Sequence, residues 1–187
     1  IILTILVLLN VLGSFFYKRF DLTHDKRYTL SQSTIELIQS IDEPVFIDIF
    51  LDGNFPPEFK RLQNETRQLV EEFKAYNSNL IVQFTNPLED ESQAEQYRAE
   101  LIKLGFTPTN INSTKKGKKE LIQIFPWAIA NRGEKSVRVP LLVNNFGNSP
   151  SENINKSVQL LEFTFADALT KLNPKTKKKI AVLTGKG

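Results

Sequence analysis

The sequence predicts a mixed α/β domain behind an apolar N-terminal segment, with the element order β-α-β-α-β-β-α. Three observations predict it. In the first half, apolar runs of strand length alternate with segments whose apolar residues recur every three or four positions, the patterns of buried strands and amphipathic helices. In the second half, two strand-like runs flank the turn Asn131-Arg132-Gly133-Glu134, and one long helical stripe follows. The 187 residues are 41% apolar and 24% charged, an ordinary globular composition that excludes a disordered tail or a collagen-like fibre.

Residues 1–17, IILTILVLLNVLGSFFY, are uncharged and mostly apolar. As a helix they would run roughly 26 Å, close to the thickness of a bilayer's hydrocarbon core. A signal peptide would need small residues at a cleavage site, whereas Gly13-Ser14 is followed by Phe15, Phe16 and Tyr17. The expectation is an uncleaved transmembrane anchor, with the aromatic trio in the interfacial belt and Lys18 and Arg19 beyond it. Those two charges do not decide the orientation, because the flank to compare them with is absent. No methionine opens the chain, so the numbering is expected to begin inside a longer precursor.

Residues 18–43 read as a juxtamembrane linker and a short helix. Ser31 is placed to cap that helix, Leu30 and Ile35 to staple its first turn, and Ile38 and Ile41 to continue its stripe. Glu43-Pro44 ends it. Val45 to Leu51 is almost wholly apolar and reads as a central strand. Pro56-Pro57 opens a helix with the stripe Phe59, Leu62, Leu69, Val70, Phe73 and Tyr76. Leu80 to Thr85 is a second strand. Ser92-Gln93-Ala94-Glu95 has the spacing of a capping box for a helix striped by Ala94, Tyr97, Leu101 and Leu104, stopped by Gly105.

FTPTNINSTKKGKKE, beginning at Phe106, reads as a loop or the tip of a hairpin. Leu121 to Phe125 is a strand that Pro126 interrupts before Trp127 to Ala130, and the run pairs as a hairpin with Val137 to Val143. Pro140 lacks a ladder donor, which puts that last strand at an edge. Asn144 to Pro150 is a loop. Ile154, Val158, Leu161, Phe165, Leu169 and Leu172 give the strongest helix, whose face should close over the sheet. The domain is therefore expected over residues 44–172. Residues 173–187 read as a lysine-rich linker and the first strand, Ile180 to Thr184, of a following truncated domain.

Composition excludes several chemistries. The chain has no cysteine and a single histidine, His24, which removes disulfides, thiolate nucleophiles, cysteine–zinc sites and any triad or paired-histidine motif within the chain. The net charge of +3 comes from the tail: six of the 24 basic residues lie from Lys171 onward with no acid, leaving the rest of the chain net negative. Nucleic-acid binding by the body is therefore not expected.

The order of elements resembles the thioredoxin-like fold, a three-layer sandwich, with FPWAIANRGEKSVRV in the place of its hairpin and Pro126 where that fold carries a cis-proline. Where thiol–disulfide enzymes have paired cysteines, this chain reads Asp52-Gly53-Asn54-Phe55-Pro56-Pro57, so a scaffold remains without redox chemistry. A more specific resemblance rests on RFDLTHDKRYTLSQSTIELI, VFIDIFLDGNFPPEF and ENINKSVQLLEFTFADALTKL, the last followed by KKKIAVLTGKG. Together they resemble the GldG family, the gliding-motility auxiliary components of a bacterial ABC transporter. The resemblance implies an inner-membrane anchor, a periplasmic domain, and work beside a permease and an ATPase in Bacteroidetes. It implies no catalytic residue and no cofactor.

Candidate sites follow from both readings. Asp52, Asn54, Phe55, Pro126 and Trp127 would lie near each other at the edge where thioredoxin relatives bind extended peptides, a place for a peptide or envelope ligand. Trp127 is a surface anchor or is buried under the terminal helix. Asp48 and Asp52, four apart, are the carboxylates an envelope hydrolase would use, and a purely structural periplasmic spacer is a third reading. Glu89-Asp90-Glu91 reads as charge at a helix start, and Lys115-Lys116-Gly117-Lys118-Lys119 as a solvated loop tip. His24 beside Asp25 reads as a linker histidine. Thr184-Gly185-Lys186-Gly187 lacks the spacing of a phosphate loop.

Overall fold

In a computed structural model the described residues are 30–90, 92–115, 118–145 and 147–173, and they form a mixed α/β fold. Helix α1 (Gln32–Gln39) leads into strand β1 (Val45–Ile49), helix α2 (Pro57–Tyr76), strand β2 (Leu80–Phe84) and helix α3 (Ala94–Lys103). Strands β3 (Thr109–Lys115), β4 (Lys118–Ile124), β5 (Trp127–Arg132) and β6 (Lys135–Pro140) follow, and helix α4 (Pro150–Leu172) closes the order. No helix among the described residues is long and apolar enough to cross a membrane. The apolar run 1–17, His24 and the strand expected at Ile180 lie outside the described residues.

Four strands form one sheet in the order β2-β1-β5-β6. β1 and β2 are parallel, in register from Val45↔Leu80 to Ile49↔Phe84, and α2 is the crossover that joins them. β5 runs antiparallel to β1, and β6 antiparallel to β5. The two inner strands are β1 and β5, so the most apolar run is central and Pro140 stands on an edge strand, both as its residue types demand.

Expectations about the second half are sharpened or corrected. Of the two readings of the polar stretch after Phe106, the hairpin holds and the loop does not: β3 and β4 pair over seven positions from Thr109↔Ile124 to Lys115↔Lys118, as a separate two-stranded sheet. Leu121 to Ile124 therefore pairs with β3 and takes no part in the β5–β6 hairpin. Pro126 separates two strands belonging to two sheets, because it lacks an N–H to carry the ladder onward. Its peptide bond is trans, no cis bond being present among the described residues. β6 also ends at Pro140, short of the expected Val143, because the Val143 N–H is taken by the Ser157 hydroxyl of α4 at 2.8 Å.

The sheet's faces are filled unequally. On one face, Val45, Ile47 and Ile49 of β1, Leu80 of β2 and Ala128 and Ala130 of β5 meet Ile38, Leu62, Val70, Phe73, Leu161, Phe165 and Leu169 from α1, α2 and α4. Phe73 and Phe165 pack edge to face, centroids 6.1 Å apart. Alternate residues of a strand face opposite ways, so Phe50, Trp127 and Ile129 serve the other face, where they pack on Leu101 of α3, Phe106 and Phe125. Burial of Trp127 under the terminal helix is thus corrected: its ring lies on the α3 side. The expected α3 stripe also narrows, with Leu101 buried but Tyr97 and Leu104 41% and 62% exposed. Gly105, at φ +83°, ends the helix where Arg138 reaches across to the Leu104 carbonyl at 2.6 Å.

Polar side chains close the ends of these elements. Ser31 caps α1 by accepting the Thr34 N–H, as expected. α3 has no such cap. Its N-cap is Gln93, whose side chain makes no capping bond, and the Ser92–Glu95 box does not form because the Ser92 hydroxyl donates to Asp90 instead. Arg132 is only 7% exposed, pairing with Asp42 at 2.8 Å and Glu43 at 3.0 Å and tying the α1–β1 connection to the β5–β6 turn.

α4 begins with a complete capping box. The Ser149 hydroxyl accepts the Glu152 N–H, and the Glu152 carboxylate accepts the Ser149 N–H at 2.6 Å. That backbone bond, followed by the Ser149 hydroxyl, holds the Glu152 carboxyl below its usual range. A lowered native pKa stabilises the fold above the unfolded value, and the contribution disappears as pH falls through the native one. The amides of Ser149, Glu152 and Asn153 are therefore expected to lose hydrogen-exchange protection on acidification through the carboxylate range, and Glu152→Gln should flatten that dependence. An unchanged profile in the variant would refute the assignment.

Candidate functional site

The expected site residues gather at one end of the four-stranded sheet, where β1 ends and β5 begins. The Phe50 N–H donates to the Trp127 carbonyl at 2.8 Å, so the chain leaving β1 lies directly beside the chain entering β5. Leu51 is buried, and its carbonyl accepts the Gln63 side-chain amide of α2 at 2.8 Å, while Lys60 donates to the Gln63 carbonyl oxygen at 2.6 Å. Gln63 thereby fixes the turn from β1 into α2. The turn itself exposes Asp52, Gly53 and Asn54, with Gly53 at φ +142°, a conformation that favours glycine. Phe55 folds back onto the core, half-buried. Pro56 and Pro57 then start α2 with no side-chain cap.

Across from this turn, Pro126 is buried and its carbonyl accepts the Leu141 N–H at 3.0 Å. Pro126 therefore shapes the end of the sheet without offering surface. Trp127 is half-buried, edge-on to Phe106 with centroids 5.7 Å apart, and its indole N–H donates to the Thr107 carbonyl at 2.9 Å. Phe106 packs in turn on Phe50 at 5.6 Å. Asp52, whose carboxylate accepts the Gln63 side-chain amide at 3.5 Å, and Asn54 are thus the exposed members of the site, and Phe55 and Trp127 its half-buried apolar walls.

The two carboxylates of the hydrolase reading are placed differently. Asp48 sits mid-strand on the α3 side of β1, opposite Gln83 and Ile129, while Asp52 lies beyond the strand's end in the exposed turn. Among the described residues no group of three or more His, Asp or Glu side chains could hold a metal ion. Beyond the carboxyl end of β2 is a shallow open cleft of about 490 Å³, lined by Asn86, Pro87, Glu89, Asp90 and Tyr97. The Ser92 hydroxyl and then its N–H hold Asp90 below the usual carboxylate range, so this acid closes its own turn. The expected capping of α3 by these acids is corrected: Asp90 bonds Ser92 and the Gln93 side chain in its own turn, and α3 has no side-chain cap. Gln63 and Arg132 were not legible in the sequence, since a lone polar residue on a helical or strand pattern carries no mark of the backbone carbonyl or acid it will meet.

What the fold and site define is a mixed α/β domain with a polar turn and an aromatic wall at one end of its sheet. The chain belongs to the family described as Domain of unknown function (DUF7088), whose model matches residues 24–131, from ahead of α1 to β5. No curated protein and no solved structure matches it.

Proposed function

We propose that this chain is a non-catalytic, membrane-anchored periplasmic accessory subunit of a bacterial ABC transporter of the gliding-motility GldG type, built on a thioredoxin-like scaffold. The strand order β2-β1-β5-β6, with β1 and β2 parallel and β5 and β6 forming an antiparallel hairpin, carries the scaffold reading. α3 on one face and α2 with α4 on the other support the same three-layer arrangement, with the β3–β4 hairpin as an insertion. The absence of cysteine from the turn after β1 leaves that scaffold to recognition. The uncharged run 1–17 supports the anchor, and the three GldG-like segments support the transporter assignment and its periplasmic side.

Recognition would use the end of the sheet formed by Asp52, Asn54 and Phe55 with Pro126 and Trp127, taking an extended segment of a partner or envelope peptide. The test is purification of the full-length protein from its native membranes in mild detergent. A permease and an ATPase subunit are expected to come with it, and photo-cross-linking from position 55 or 127 should mark a partner. Recovery of the protein alone, together with no adduct from either position, would refute the reading.

A further inference from the structure

The sheet's two edges are built differently. β6 carries Lys135, Arg138 and Pro140, residues that discourage pairing with another strand. β2 reads Leu80-Ile81-Val82-Gln83-Phe84, with no charge, proline or glycine, and among the described residues no strand pairs with its outer side. The phase of that side is set by two bonds. The Asn79 carbonyl accepts the Val45 N–H and the Thr85 N–H donates to the Ile49 carbonyl, each at 2.9 Å. With the register unbroken between them, the odd-numbered residues turn their main-chain groups to β1, and Leu80, Val82 and Phe84 turn theirs outward. Of these, only the Leu80 N–H is engaged among the described residues, by the Asn77 carbonyl at 3.3 Å. Beside this edge, on the face that α3 leaves open, Ile81 and its β1 neighbour Phe46 are 45% and 50% exposed.

We propose that β2 pairs with β2 of a second copy of this chain, antiparallel about a two-fold axis at Val82, joining two four-stranded sheets into one. The outward phase is self-complementary. Val82 facing its own copy exchanges both its N–H and its C=O, and each Phe84 N–H reaches the Leu80 carbonyl of the other copy, which needs no Leu80 N–H. In that register Ile81 lies opposite Gln83. An uncharged strand meets no like charge when it pairs with itself, and it offers no charge by which a foreign strand would be selected. Blocking of the β6 edge closes the assembly at two copies, since the joined sheet ends in a blunted edge on both sides. A five-residue strand covers less than the roughly 1,200–2,000 Å² of a standard interface. The dimer is accordingly weak, and confinement of both copies to one membrane would favour it.

The chain's lack of cysteine makes the test direct. In this chain in mild detergent, Val82→Cys places the one thiol of its 187 residues at the two-fold, and mild oxidation is expected to give a disulfide-linked homodimer. Lys135→Cys on the other edge should give roughly tenfold less, and so should Val82→Cys combined with Ile81→Lys. Because Ile81 is half-exposed, Ile81→Lys leaves the core intact; in sedimentation the unmodified chain is expected to gain mass with concentration and the variant is not. A monomeric Val82→Cys protein, equal yields from the two edges, or an adduct only with a different polypeptide in native membranes would each overturn the proposal.

Discussion

Phe165→Ala is expected to destabilise the domain by about 3–5 kcal/mol, the range for removing a fully buried aromatic ring. Phe165 has no exposed surface, packs edge to face on Phe73, and lies midway along α4, where that helix meets α2 and the sheet together. Its loss removes the ring's own burial and leaves a cavity that α4 cannot close without leaving β5 and β6, because its two ends are held by the Ser149 capping box and by the Asn173–Ser40 hydrogen bond. A domain of this size has about 5–15 kcal/mol in total, so roughly a fifth or more of its stability would go. Thermal and urea unfolding followed by circular dichroism should show a midpoint lowered by roughly 10 °C or more. Phe163→Ala is the control. Two residues away on the same helix but 70% exposed, it should change stability by less than about 0.5 kcal/mol. Similar losses from the two variants would mean that α4 does not sit on the sheet through the face described.

That face was legible in the sequence because it obeys one period. Ile154, Leu161, Phe165, Leu169 and Leu172 repeat at helical spacing and are all buried, and the uniform apolar character of β1 marked it as central. What escaped the reading was decided by contacts distant in the chain. β3 reads Thr-Asn-Ile-Asn-Ser-Thr-Lys, polar enough for a loop, and becomes a strand because β4 supplies a partner at every position. α3 lost its stripe because a small cluster needs only Leu101 from it, so Tyr97 and Leu104 stay outside. The α4 capping box at Ser149–Glu152 was missed although its Ser-x-x-Glu spacing is a local signal that needs no distant contact. At the candidate site, the turn chemistry of Asp52-Gly53 could be read directly, whereas the burial of Pro126 could not, since it follows from β6 lying against it.

The α3 side of the sheet rests on a much smaller cluster, and Phe106→Ala is expected to separate it from the rest. Phe106 is buried between Phe50 and Trp127, edge-on to each, with Leu101 and Phe125 completing the cluster. Removal of the ring should cost about 3–5 kcal/mol. The main core on the opposite face contains none of these side chains, so the cost falls on the docking of α3 and leaves α1, α2 and α4 held by their own contacts. Trp127 is the chain's sole tryptophan, and its indole is held by the Thr107 carbonyl next to Phe106 in sequence. Its fluorescence therefore reports this cluster alone, and the variant is expected to shift emission to longer wavelength as water reaches the ring. Hydrogen exchange should accelerate across α3 while α4 keeps its protection. Because Trp127 walls the proposed recognition site, partner cross-linking from position 55 should weaken in parallel. Uniform loss of protection over α3 and α4 would show that the two faces unfold as one unit, and an unshifted emission would show that Phe106 does not shield Trp127.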